Sequence, residues 1–233
     1  MPFSTLHSRH IVITGASRGI GRALAQECAR RGAHVSLCAR SNSIQDLVSR
    51  LAAVGGVLDV RDPDAVGAWI EMAVRQFGPI DALVNNAGIL GPKCEVAEYP
   101  VEQWREVLDI NSTGPFVVTK AALPHLRRPG GLAVFLTSYL GRFALPRYGA
   151  YCASKFAVEG LARLVAEEHR SEGIVSCAID PGMVQTEMLK AAAETDDVSE
   201  HPTTEQAAAA FADQLERLSA NESGQTIPLF PEP

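Results

Sequence analysis

Arg9-His10-Ile11-Val12-Ile13-Thr14-Gly15-Ala16-Ser17-Arg18-Gly19-Ile20-Gly21 opens on a β-branched run, passes through a glycine-rich turn and leaves in a helical pattern, Arg22-Ala23-Leu24-Ala25-Gln26-Glu27. A glycine motif acquires chemical meaning in such a strand–turn–helix setting. Glycine lets the backbone turn sharply and approach a pyrophosphate, and the helix N-terminus offers unpaired N–H groups to the anion. The spacing is Gly-x-x-x-Gly-x-Gly, not the Gly-x-Gly-x-x-Gly of the standard dinucleotide fingerprint. By itself the turn reads either as a phosphate cradle or as a glycine turn without a ligand.

Working outward, strand-like runs alternate with helical stretches along the whole chain. Strands are expected near 10–14, 34–39, 56–59, 80–84, 132–137 and 174–179, and helices near 19–31, 43–53, 63–77, 101–126, 149–171 and 203–219. This alternation predicts an α/β fold, a doubly wound parallel sheet covered by helices on both faces. No linker, repeat or low-complexity stretch divides residues 1–233, so one domain is expected. Thr14, Asp59, Asn85, Ser138 and Asp180 fall at or just after strand ends and should gather on one edge, where ligands of such sheets bind.

A second signal lies in the fifth helical stretch. Tyr151 and Lys155 are four residues apart, Tyr151-Cys152-Ala153-Ser154-Lys155, with Ser138 thirteen residues upstream of the tyrosine. Positions i and i+4 share a helix face, which sets a phenol beside an ammonium. A free tyrosine has a pKa of about 10, and an adjacent cation favours phenolate, drawing the group toward useful acid–base chemistry.

Composition bounds the partners. The chain has 233 residues, 46% hydrophobic and 21% charged, with a formal net charge of -6. That supports one globular domain with a sizeable core. No basic stripe exists to neutralise phosphates, which argues against nucleic acid. No apolar run reaches the eighteen or so residues of a membrane span, and residues 1–10 lack the apolar core of a signal peptide. Cys28, Cys38, Cys94, Cys152 and Cys177 are odd in number and lack metal-site spacing, so no metal and a reduced, cytoplasmic setting are expected. His125 and His169, near predicted helix ends, read as surface histidines.

Four further segments complete a pattern: Asp59-Val60, Asn85-Asn86-Ala87-Gly88, Asn111, and Pro181-Gly182-Met183-Val184-Gln185-Thr186. Together with the glycine turn and the Tyr/Lys pair, they resemble a short-chain dehydrogenase/reductase of the compact, single-domain type, in order and spacing from about Arg9 to Gly182. The resemblance implies a Rossmann fold, NADP(H) or NAD(H) as cofactor, and hydride transfer between nicotinamide and a carbonyl or alcohol. It implies Asn111, Ser138, Tyr151 and Lys155 as catalytic residues, with Tyr151 the proton donor. Lys155 would hold the nicotinamide ribose and lower the Tyr151 pKa, and Asn111 would help hold a water linking Lys155 to solvent. Gly15, Ser17, Arg18, Gly19, Ile20 and Gly21 would surround the adenosine ribose and pyrophosphate. Asp59 and Val60 would contact adenine, Asn86, Ala87 and Gly88 would line the cleft, and Pro181, Gly182, Val184 and Thr186 would sit near the nicotinamide. The Asn pair serves equally well, on sequence alone, to stabilise the end of the fourth strand. Ala39 replaces the acid usual in this family and Arg40 follows it, so Arg40 with Arg18 favours NADP(H), unless both pair with surface acids.

Pro115 removes a helical N–H bond, so the stretch 101–126 should kink near Asn111. Pocket walls are expected from 90–95 and 140–148, with Leu140, Phe143 and Leu145 making an apolar site for a medium-sized ketone, aldehyde or diketone. Residues 183–202, with Met188, Leu189 and the acids Glu194, Asp196, Asp197 and Glu200, read as a lid or as a surface helix and loop. Arg142 and Arg147 flank the pocket and pair either with a substrate carboxylate or with surface acids. Gly224-Gln225-Thr226-Ile227-Pro228 predicts a stunted or edge seventh strand. A homo-oligomer, dimer or tetramer, is expected from the resemblance. Two rivals remain: a silent dinucleotide sensor on the same fold, and a nucleotide-sugar epimerase, for which the carboxyl-terminal part is too short.

Overall fold

Alternation along each strand decides which face it covers. In β1 (His10–Thr14) Ile11 and Ile13 enter one core and Val12 the other. In β5 (Leu132–Leu136) Leu132, Val134 and Leu136 enter the first, while Ala133 and Phe135 enter the second. Strands buried on both sides belong to a parallel sheet with helices on each face. The computed structural model describes residues 4–194 and 197–230. Its strands are β1, β2 (His34–Ala39), β3 (Val54–Val57), β4 (Ala82–Asn85), β5, β6 (Val175–Asp180) and β7 (Thr226–Pro228). All pair in parallel, in the order β3-β2-β1-β4-β5-β6-β7.

The first core takes Leu24 and Cys28 of α1 (Gly19–Arg30), Ile44 and Leu47 of α2 (Ile44–Arg50), and Phe211 and Leu215 of α8 (Thr204–Arg217). The second takes Trp69 and Ile70 of α3 (Pro63–Phe77), Val118 and Ala122 of α5 (Gly114–Ala122), and Val158, Ala162 and Val165 of α6 (Gly149–Glu168). Pro63 and the Asp62 carboxylate, which accepts from the N–H groups of Asp64 and Ala65, start α3 where the sequence expects it. None of the helices is long and apolar enough to cross a membrane, among the described residues.

Three expectations need correction. The stretch expected as one helix over 101–126 is α4 (Val101–Leu108), a π-helical turn (Asp109–Thr113) and α5, with the Gly114 N–H reaching back to the Asp109 carbonyl. Pro115 follows this turn, so the kink forms at Asn111 as the proline demands. The third strand lies at Val54–Val57, not 56–59, because Gly55-Gly56 is extended and pairs with Leu37 and Cys38. A Cβ on Gly55 would stand 1.8 Å from the Leu37 carbonyl oxygen, so only glycine admits β3 this close to β2. Helix ends elsewhere shift by a few residues; α6 gives way to a 3-10 turn at Arg170–Glu172. β7 is three residues long, ends at Pro228 and occupies the sheet edge, so it is both stunted and peripheral. Within 183–202, α7 spans Glu187–Ala193, while Asp196 lies outside the described residues.

Gly55→Ala should lower stability by about 1–3 kcal/mol through overpacking. Gly67→Ala, within α3 and with open space around it, should raise stability by about 0.5–1 kcal/mol. Urea midpoints at unchanged slope test both, and equal midpoints for the two variants would contradict the β3 register.

Candidate active site

Because every strand runs the same way, the carboxyl ends of β1, β4, β5 and β6 meet along one edge, and the order of β1 between β2 and β4 opens the crevice of a doubly wound sheet there. The glycine turn after β1 is held by its neighbours. The Thr14 hydroxyl accepts from the Asn86 and Ala87 N–H groups, both at 3.1 Å. The Asn86 amide donates to the carbonyls of Thr14 at 2.8 Å and Gly15 at 3.1 Å. A Cβ on Gly21 would fall 2.3 Å from that amide nitrogen, and one on Gly15 would fall 2.7 Å from the Ala87 Cα. These two glycines therefore make room for Asn86, and the asparagine serves the turn and the end of β4 at once. Asn85 instead turns inward, donating to the Thr119 hydroxyl at 3.0 Å.

The start of α1 suits an anion. Its N-cap residue, Arg18, supplies no side-chain oxygen to the first turn, so the N–H groups of Gly19, Ile20 and Gly21 have no side-chain cap. Ser17 beside it is half-buried and its carbonyl accepts from Arg22 at 3.3 Å. Thr186 lies across the turn, its methyl 3.6 Å from where a Gly19 Cβ would be, while its hydroxyl caps α7 by accepting from Leu189. Pro181 and Val184 are buried, and Gly182, at positive φ, donates its N–H to the Asp180 carboxylate at 3.0 Å.

At the outer end of the crevice Arg40 is exposed, and its ion pair with Glu106 is long at 3.9 Å. Asp59 is engaged in a way the sequence does not reveal. Arg61 grips its carboxylate at 2.6–3.1 Å, and that hydrogen-bonded guanidinium holds the Asp59 pKa below the ordinary value. Val60 is buried against Gly114.

Of the four side chains expected to act together, Ser138, Tyr151 and Lys155 lie side by side, while Asn111 bonds to Ile89 and Ser154. The π-turn directs Asn111, 1% exposed, so that its amide donates to the Ile89 carbonyl at 2.8 Å and the Ser154 hydroxyl at 3.0 Å and accepts from the Ile89 N–H at 2.8 Å. Asn111 thus clamps the loop after β4, including Gly88, to α6. Ser138 opens a 3-10 turn (Tyr139–Gly141), its hydroxyl accepting from the Leu140 N–H at 3.3 Å, and it lies near enough to the Tyr151 phenol to favour ionisation. Lys155 is buried, donates to the Leu136 carbonyl at 2.7 Å and stands 5.5 Å from the Tyr151 ring centre.

The expected lowering of the Tyr151 pKa does not occur in the protein itself. Burial pushes the phenol up to about 12, with Ser138 opposing and Asp180 and Tyr148 adding to the rise. Burial likewise draws Lys155 down to about 8, against the pull of Asp180. Desolvation is the largest influence on both groups, reinforced by Asp180 at Tyr151 and opposed by it at Lys155.

Around this centre Tyr139 and Phe143 stack at 4.3 Å, and with Leu145 and Met183 they are about half exposed. Leu140, expected in the pocket wall, is buried instead; Tyr139 occupies the surface position. Arg142 is committed to Glu159 and Asp180 inside the protein. Arg147 pairs with Glu194 at 3.4 Å. His125 pairs with Glu71 and His169 with Glu172, away from this cluster.

Residues 9–197 match the family model for short chain dehydrogenases. An NADPH-dependent pterin aldehyde reductase of Arabidopsis thaliana is 38% identical over 80% of this chain and 79% of its own length. A short-chain dehydrogenase of Shigella flexneri, solved with NADP, superposes with a TM-score of 0.89 at 30% identity, covering 98% of this chain and 99% of that one. One from Escherichia coli, solved with NADPH, gives 0.89 at 29% identity over 98% and 99%. With the sheet order, the glycine turn and the Ser138–Tyr151–Lys155 cluster in place, this chain belongs to the short-chain dehydrogenase family of oxidoreductases.

Proposed function

We propose that the protein is an NADPH-dependent carbonyl reductase acting on a small or medium-sized ketone, aldehyde or diketone. The observation that carries this reading is the Tyr151 phenol, set with Ser138 near it and buried Lys155 5.5 Å from its ring centre, in surroundings whose burial keeps the phenol protonated. A phenol that keeps its proton at neutral pH is a proton donor, which is what reduction needs and alcohol oxidation does not. Bound NADPH would supply the hydride. Gly15, Ser17, Arg18, Gly19, Ile20 and Gly21 would hold its pyrophosphate and ribose, and Asp59 and Val60 its adenine. Asn86, Ala87, Gly88, Pro181, Gly182, Val184 and Thr186 would line the rest of the cleft. Tyr151 then gives its proton to the carbonyl oxygen while the Ser138 hydroxyl stabilises the charge that develops there. Lys155 favours the phenolate left behind, and Asn111 holds the loop and helix that frame the pair.

The exposed Arg40 side chain, whose pair with Glu106 is long at 3.9 Å, supports NADPH over NADH, since a guanidinium pairs with a 2′-phosphate. The aldehyde-reductase relative and the exposed Tyr139, Phe143, Leu145 and Met183 support an apolar carbonyl substrate. A lid over this pocket is supported by α7, whose end is tied down where Lys93 donates to the Ala192 carbonyl at 2.6 Å and Glu194 at 2.8 Å. Phe116 on α5 and Phe156 and Leu164 on α6 are about half exposed and support a homo-oligomer through these helices. The free thiols fit a reducing compartment, the cytoplasm.

Tyr151→Phe should cut NADPH oxidation with nitrobenzaldehyde, cyclohexanone or diacetyl by at least about 100-fold while NADPH fluorescence still reports binding; retained turnover would remove Tyr151 as the acid. In the unaltered enzyme, kcat/KM for reduction should fall as pH rises through about 8, where Lys155 loses its charge, well before Tyr151 ionises. A profile flat to the far alkaline side would show that the lysine charge does not contribute. Arg40→Ala should raise the Kd for NADPH by about 10–100-fold and leave that for NADH nearly unchanged. Light scattering should give a mass that is a multiple of 24.9 kDa; a monomer at micromolar concentration would end the oligomer reading.

A further inference from the structure

Glu159 is four residues beyond Lys155 and eight beyond Tyr151, so the three share a face of α6. Its carboxylate, 2% exposed, is a junction for four elements. One oxygen accepts from the Thr137 hydroxyl and the Arg142 guanidinium, both at 3.1 Å. The other accepts from the Thr226 hydroxyl at 2.9 Å and from Arg163 at 3.3 Å. Thr137 immediately precedes Ser138, and Arg142 closes the 3-10 turn that Ser138 opens. The second arm of Arg142 donates at 2.6 Å to Asp180, whose other oxygen fixes the Gly182 N–H at 3.0 Å. The turn is pressed onto this network: a Cβ on Gly141 would meet the Thr137 hydroxyl at 2.5 Å and the Glu159 carboxylate at 2.6 Å.

One guanidinium therefore spans two buried carboxylates with a planar fork suited to such bridging. Each carboxylate restrains a segment touching the catalytic centre: Glu159 the end of β5 and α6, Asp180 the Pro181-Gly182 turn. We propose that Arg142 is a positioning residue for the reaction, setting Ser138 against Tyr151 and fixing the Pro181-Gly182 turn by bridging Glu159 and Asp180. The inference rests on the reading of Ser138, Tyr151 and Lys155 given above.

The same network reaches the catalytic pair through charge. The groups acting on the Tyr151 phenol are Ser138 from the turn after β5, Asp180 from β6 and Tyr148 from α6, with Lys155 beside the ring. Asp180 raises both the phenol and the Lys155 ammonium. Replacing its carboxylate by an amide removes that contribution, so both groups should titrate at lower pH.

The test uses full-length Arg142→Gln, Arg142→Lys, Asp180→Asn and Tyr151→Phe, assayed by NADPH oxidation with whichever of nitrobenzaldehyde, cyclohexanone and diacetyl the unaltered protein reduces fastest. In folded Arg142→Gln, kcat should fall on the order of 10–100-fold, the scale of a displaced reacting group, with KM for the carbonyl unchanged. Arg142→Lys, which keeps the charge and loses the fork, should recover part of the loss. Asp180→Asn should move the alkaline limb of kcat/KM to lower pH. Full kcat in folded Arg142→Gln overturns the proposal. Where that variant does not fold, full kcat in Arg142→Lys with an unmoved limb in Asp180→Asn overturns it equally. Turnover retained by Tyr151→Phe, or absent from the unaltered protein, defeats the underlying functional reading instead.

Discussion

A parallel sheet sends every crossing polypeptide out at the same edge, and in this chain that edge is both polar and largely buried. Buried donors and acceptors must be paired, since one left without a partner costs about 1–3 kcal/mol. The architecture of the site follows from meeting that requirement. Asn86 satisfies two carbonyls of the glycine turn, Asn111 three groups of the neighbouring loop and helix, Lys155 the last carbonyl of β5, and Glu159 four donors at once. The bonds that make the edge stable also hold the reacting groups in register. Stability and positioning are here the same set of contacts.

What was legible in the sequence is local in origin. The glycine turn shows as a run of small residues between two periodic patterns, Tyr151 and Lys155 show as an i, i+4 pair, and the break at Asn111 shows through Pro115. β3 starts two residues before the expected 56–59 because the place of Val54 and Gly55 in the sheet is set by Ser36 and Leu37 on the adjacent strand, which nothing local announces. Arg142 was read at the pocket rim because nothing near it in sequence announces Asp180, thirty-eight residues away, as a partner. The grip of Arg61 on Asp59 was two residues distant and still missed, since many conformations of so short a segment keep the two apart. Leu140 lies inside and not at the expected pocket wall because the turn after Ser138 is 3-10 and has neither the strand nor the α-helical period.

The charge state of the catalytic pair shows how two physical effects compete. A cation beside a phenol favours ionisation, but both groups lie in a setting where any charge loses hydration. Lys155 spends its hydrogen bond on the Leu136 carbonyl, so the phenol gains little from it, and each group moves toward its neutral form. A neutral phenol is poised to give a proton rather than to take one. The anionic partner that would keep Lys155 charged is Asp180, yet Asp180 also opposes phenolate, and Arg142 stands on its far side. The balance between donor and acceptor chemistry at Tyr151 is thus set from behind the site, by groups that need never touch a substrate.

The segment around α7 is built from weaker material. The end of α7 is held by Lys93, Arg147 and the Tyr148 hydroxyl, converging on the Ala192 carbonyl and the Glu194 carboxylate. Arg147 and Glu194 are more than half exposed, and pairs of that kind typically contribute about 0–1 kcal/mol. Arg142, Glu159 and Asp180 make the opposite arrangement, with carboxylates at 2% and 7% side-chain exposure that cannot lose their partner without leaving charge buried. The end of α7 is thus held by contacts that yield at small cost, and the Arg142 network by contacts that do not. The difference arises from burial, since both clusters use the same arginine–carboxylate chemistry.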